Sequence, residues 1–144
     1  GVGSRDGAAR LASPAMGKVV VFKIGGKAEL VTDESFPPDP TPVADDFGSL
    51  AQIEHGRELF FNNCMVCHGD SAQSGGIVTD LRWAPAPATK ETFAEVVIGG
   101  KYATAGMASF AKVLTPDDVE SVRAYIINRA NEDAKAAATA APPP

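Results

Sequence analysis

The chain has 144 residues, 44% of them apolar and 22% charged, which is the make-up of one modest water-facing globular domain. A net charge of −5 argues against a nucleic-acid partner, and no apolar run approaches the length of a membrane span. A start at Gly1 with no apolar leader reads as a processed chain or a fragment of a longer one.

Residues 1–16 are small and polar and are expected to be mobile. The β-branched run from Lys18 to Ile24 reads as one strand. Its only partner within the chain would be Glu29 to Thr32, folding back across Gly25 and Gly26; otherwise it belonged to a larger sheet. Residues 33–46 carry Pro37, Pro38, Pro40 and Pro42 among acidic side chains, the signature of an extended linker. Residues 1–46 are therefore expected to form an extended segment ahead of a domain at 47–131.

Three helices are predicted in that domain. The first spans about Ser49 to Cys64, with Ile53, Gly56, Leu59 and Phe60 on one face. Glycine is costly inside a helix, so Gly56 predicts close contact with another helix. The second begins with Thr89 as N-cap, turns Phe93, Val96 and Val97 inward, and stops at Gly99-Gly100. The third opens Thr115-Pro116-Asp117-Asp118, with a threonine cap, proline in the first turn and carboxylates at the positive helix end. Val119, Val122 and Ile126 form its buried stripe. Residues 132–144, mostly alanine and proline from Ala134 onward, are expected to be disordered.

Between the first two helices lies Cys64-Met65-Val66-Cys67-His68, which uses both cysteines of the chain. Two thiols one helical turn apart, followed directly by histidine, suit covalent attachment of a c-type haem. The thiols add across the two vinyl groups, and the histidine supplies an axial nitrogen. Other chemistries compete. A disulfide within so short a loop is strained, a thioredoxin-like pair needs a βαβ context, and zinc needs about four ligands. The chain has two histidines in all, His55 and His68, so a full zinc shell is hard to assemble.

A haem held by one histidine calls for a distal ligand, and methionine is a soft donor that raises the potential. Of three methionines, Met16 is remote and Met65 sits between the cysteines. Met107, in Gly106-Met107-Ala108-Ser109-Phe110, is the candidate, against the alternative of a loop methionine filling a gap in the core. His55 is weighed as a second axial ligand, but on the helix leading into the motif it is expected to be exposed or to cap.

With these motifs in this order, residues 47–131 resemble the class I cytochrome c family. The resemblance implies a mainly α fold, three to four helices around one covalent haem c, with His68 and Met107 as iron ligands. More narrowly, the chain looks like the cytochrome domain that ends the quinohaemoprotein alcohol dehydrogenases. Lys18 to Leu30 looks like the last strand of a propeller, and Asp80-Leu81-Arg82 and the Gly106-Met107 loop also fit. In the family, residues placed like Arg82 and Trp83 face the haem edge and propionates. Two positions depart from it: Ala108 and Thr79 stand where proline is common. The Thr79 carbonyl still serves to accept a hydrogen bond from the proximal histidine.

The resemblance implies one-electron transfer in the periplasm by a chain that is not itself an enzyme. Its partner would be a redox protein or a quinoprotein dehydrogenase domain, feeding a respiratory acceptor. Arg82, Lys90, Lys101 and Lys112, against Glu91 and Glu95, suggest a basic rim that steers this partner. A haem sensor or peroxidase, with Met107 displaced, is the alternative from another class.

Overall fold

The computed structural model describes residues 23–27, 41–74 and 78–139. Four helices carry the fold: α1, Leu50–Asn63; α2, Met65–His68; α3, Lys90–Val97; and α4, Pro116–Thr139. Two single 3₁₀ turns, Ala86–Ala88 and Ala103–Ala105, punctuate the loops on either side of α3. There is no strand among the described residues, and no described helix is long and apolar enough to cross a membrane.

Helices α1, α3 and α4 each start where a side chain can satisfy a free amide. Ser49 Oγ accepts from the Gln52 amide at 3.2 Å, and Thr89 Oγ1 from the Thr92 amide at 3.1 Å. At α4 the capping is reciprocal: Thr115 Oγ1 accepts from the Asp118 amide at 3.2 Å, while Asp118 Oδ2 accepts from the Thr115 amide at 2.9 Å. His55, exposed as expected, adds a clip from α1 by placing Nε2 3.1 Å from Asp118 Oδ1.

The core is built where α1 crosses α4. Gly56 is buried there, and a Cβ at this position would collide with the Ser121 carbonyl. One turn on, the Phe60 and Tyr125 rings lie 5.3 Å apart at 51°, a tilted pair of the favoured kind. Phe93 and Val97 of α3, with Leu114, Val119, Val122 and Ile126, complete the cluster.

Helix α4 is more enclosed than its one-sided stripe predicts: residues 121–127 are all buried. Helices α1 and α3 cover part of it, and the segment before α1 adds further cover. Phe47 lies under the Arg123 guanidinium, 4.0 Å from ring centre to Cζ. Asn131 Nδ2 donates to the Ala44 carbonyl at 3.1 Å, and Lys135 reaches Asp46 at 3.5 Å. The end of the expected linker is thus fastened along the outer face of α4. Arg123, though buried, is met by Glu120 at 2.7 Å and by the Pro87 carbonyl at 3.0 Å.

The expected disordered tail is corrected over residues 132–139, where α4 continues to Thr139. Alanine is the strongest helix former, so the run from Ala134 extends a helix already nucleated by packing. Residues 140–144 lie outside the described residues. So does the expected strand, apart from Lys23 and Ile24; there the Gly26 amide closes a turn onto the Lys23 carbonyl at 2.9 Å.

Two outcomes test this packing. Gly56→Ala is expected to lower unfolding free energy by about 1–3 kcal/mol, the range for overpacking, in urea titrations of the holoprotein. Leu50→Ala, at an 87% exposed site, should move it by less than about 0.5 kcal/mol. Hydrogen bonds from Thr115, then from His55, hold the Asp118 carboxyl below its ordinary 3.8. Its contribution to stability is therefore present above that value and lost as pH falls through the depressed pKa. Asp118→Asn should flatten the acid limb of a stability–pH curve and leave the neutral limb's shape unchanged.

Candidate haem site

Helix α1 delivers Cys64 to the site. The Cys64 amide still donates to the Phe60 carbonyl at 2.8 Å, and its own carbonyl accepts from the Cys67 and His68 amides at 3.2 and 3.0 Å. The pentapeptide is thus one helical turn, which sets positions 64, 67 and 68 on a common face. Both thiols are free, Cys64 half-buried and Cys67 exposed. Burial, and then the neighbouring Cys67, pushes the Cys64 thiol up to about 11.

The turn ends abruptly at Gly69. With φ +75°, and with the Gln73 carbonyl where a Cβ would stand, only glycine fits this position. The chain then doubles back: Tyr125 Oη donates to the Asp70 carbonyl at 3.3 Å, and the Leu81 amide donates to the Ala72 carbonyl at 3.1 Å. This return brings Thr79 against the histidine ring.

His68 Nδ1 lies 3.2 Å from the Thr79 carbonyl oxygen. A carbonyl only accepts, so Nδ1 carries the proton and Nε2 keeps its lone pair. Burial depresses the pKa of the ring, against smaller opposing effects of Thr79 and Asp80, so the imidazole is neutral in neutral solution. The bond expected at Thr79 is present although proline is not.

Met107 is partly buried against the same core cluster that receives Leu59, Cys64 and Met65. Its loop is fastened by carbonyls at the end of α3 that the helix itself leaves free. The Phe110 amide donates to the Val97 carbonyl at 2.8 Å, and Ser109 Oγ donates to the Ile98 carbonyl at 2.5 Å. The Met107 amide itself bonds the Tyr102 carbonyl at 3.1 Å. Ser109 was no candidate from sequence, because a serine in a loop carries no signal of what it will fasten.

Arg82 is buried at 8% exposure, and its charge is already matched. Nε and Nη2 bind the two Asp80 oxygens at 3.0 and 2.7 Å, and Nη1 binds Asp133 at 3.0 Å. The geometry makes it a tie between the proximal loop and α4, and Trp83, half-buried, lies 5.7 Å from its Cζ. Lys101 pairs with Glu95 at 3.1 Å. Two of the four cations expected to form a basic rim are therefore engaged within the chain.

The residues present suit a c-type haem: two unbonded thiols on one turn, followed by a histidine whose outer nitrogen is held and whose inner one is free. The competing readings fit less well. Among the described residues no group of three His, Cys, Asp or Glu side chains converges to hold a metal, as zinc would need, and no strand provides a βαβ frame.

Comparison with known proteins agrees. The family described as "Cytochrome C oxidase, cbb3-type, subunit III" matches residues 51–126, more than half of the chain. The dehydrogenase subunit of alcohol dehydrogenase (quinone) from Gluconobacter oxydans strain 621H is 36% identical over 118 residues, 80% of this chain and 15% of that protein. Quinohemoprotein alcohol dehydrogenase ADH IIB from Pseudomonas putida is 34% identical over 151 residues, 99% of this chain and 21% of that protein. The solved structure of ADHIIG from Pseudomonas putida HK5 superposes with a TM-score of 0.59 at 36% identity, covering 76% of this chain and 16% of that one. The chain thus spans about a fifth or less of the relatives it matches. It belongs to the cytochrome c family, and resembles the cytochrome portion of quinohaemoprotein alcohol dehydrogenases.

Proposed function

We propose that this chain is a one-electron carrier in which Cys64 and Cys67 anchor a single haem c, with His68 and Met107 as axial ligands. The observation that carries the reading is the His68 turn: two thiols and a neutral imidazole presented together, with Nδ1 bound to the Thr79 carbonyl. Haem c, when bound, supplies an iron that cycles between two oxidation states and a conjugated edge through which single electrons pass.

The protein's own residues do the rest. Cys64 and Cys67 fix the group's orientation, and the hydrogen bond to Thr79 aims the His68 lone pair and raises its basicity. Met107 adds a thioether that favours the ferrous state. If His68 and Met107 both held the iron, no open site would be left for a substrate, and the chain would act as an electron carrier. Trp83, beside the proximal loop, is placed at the haem edge in this reading.

The relatives are alcohol dehydrogenases, which suggests the donor: a quinoprotein dehydrogenase domain, with electrons passing on to a respiratory acceptor. A donor of that kind supports a periplasmic location for the chain. The linker end that packs along α4 at Ala44 and Asp46 suits a domain joined to a larger enzyme.

Optical spectra of oxidised and reduced protein from a host competent to mature cytochromes c test the assignment. A c-type spectrum with the weak red band of ferric methionine ligation is expected, and a chain without haem absorbance would overturn it. Met107→Ala should abolish the red band, lower the potential and open the reduced protein to carbon monoxide. Carbon monoxide binding by the unmodified protein at neutral pH would instead favour a sensor or peroxidase. Cys67→Ala should leave one thioether, read as a shifted α-band of the pyridine haemochrome.

A further inference from the structure

The part of α4 that follows the family match, from Ile127 onward, is where the structure holds more than the motifs require. One of its side chains, Asp133, reaches the proximal loop, and Arg129 pairs with it from one turn earlier on the helix. Asp133 is shared between two guanidinium groups: Oδ2 accepts from Arg82 Nη1 at 3.0 Å, and Oδ1 from Arg129 Nη2 at 2.7 Å. Glu132 meets only the outer side of this network, at Arg129 Nη1, and is itself half-exposed.

Arg82 in turn grips Asp80 from two directions. Its side chain binds both carboxylate oxygens, and its backbone amide donates to Asp80 Oδ1 at 3.1 Å. Asp80 and Arg82 are both 8% exposed. Asp80 is the neighbour of Thr79, whose carbonyl accepts the hydrogen bond from His68 Nδ1. Alone, the Asp80–Arg82 pair is local and would move with its loop. The bond to Asp133, 51 positions away, gives the pair a fixed reference on the longest helix.

We infer that Arg82 is a positioning residue: clamped between Asp80 and Asp133, it holds the Thr79 carbonyl on His68 Nδ1 and makes the extension of α4 part of the haem-tuning apparatus. A buried bidentate arginine pair is geometrically specific, and a carboxylate between two guanidiniums is well compensated. The outer hydrogen bond of an axial histidine sets how strongly the ring donates electrons to its metal. Removing the Asp133 charge frees the loop, weakens that bond, and moves the potential upward. The inference rests on His68 as ligand, so a c-type spectrum in every variant comes first and separates failure of that reading from failure of this one.

The test compares Asp133→Asn, Asp133→Glu and Glu132→Gln in the haem-loaded protein. Two quantities are read: the reduction potential, and solvent exchange of the His68 ring N–H followed by NMR in the reduced state. Asp133→Asn is expected to raise the potential and to speed exchange of the ring N–H, because the outer hydrogen bond of the ligand histidine is loosened. Asp133→Glu should recover part of both changes, and Glu132→Gln should leave both near those of the unsubstituted protein. Unchanged exchange and potential in Asp133→Asn would overturn the proposal. So would equal shifts in Glu132→Gln, which would mark a general effect of surface charge. Arg82→Met shifting the potential while Asp133→Asn does not would also overturn it, since Arg82 would then act without α4.

Discussion

The close crossing of α1 and α4 is the constraint on which the other features depend. Gly56 lets the two backbones meet at the Ser121 carbonyl, and Phe60 and Tyr125 fill the space one turn further on. Because α1 ends at Cys64, the crossing fixes where the attachment turn begins. Because Tyr125 also bonds the Asp70 carbonyl, the same contact fixes where the chain goes after the turn. A side chain at position 56 would act on both ends of the motif at once. Local geometry and helix packing are one problem here.

Away from that crossing, polar bonds do the fastening. The proximal loop is held by Ala72, Asp80 and Arg82, and the methionine loop by the Val97 and Ile98 carbonyls and Ser109. These loops have little regular structure, so side chains and helix ends satisfy their backbone groups. Much of this fastening is buried, where a missing partner is costly. Such loops stay in place because their alternatives are poor. For a site that changes charge without moving atoms, that rigidity is useful.

The domain is small for its task. A buried core drawn from α1, α3 and α4, with Ala72 and Leu114 from the loops, leaves Leu59, Leu81, Ile98, Met107 and Phe110 only partly buried against it. Small domains commonly need a further source of buried surface. A covalently held macrocycle provides one, and the segment before α1 provides another by closing the outer face of α4.

The sequence by itself determined the attachment turn, the three long helices and their caps, because these are local. Thiols at i and i+3 with histidine beside them, a threonine or serine ahead of an apolar stripe, and a glycine inside a helix each have meaning within a few residues. It also carried the Thr79 carbonyl, since any residue there keeps one. Only the tertiary structure decided what Arg82 binds, because Asp133 is 51 positions away and one helix turn either way would part them. The helical state of residues 132–139 was likewise undecidable locally: alanine favours helix, but the preceding packing nucleates it. Nor does the composition of the linker, which says only that it is extended, show that its end is fastened to Asn131 and Lys135 of α4. Long-range pairing is decided by packing, and packing is a property of the whole chain.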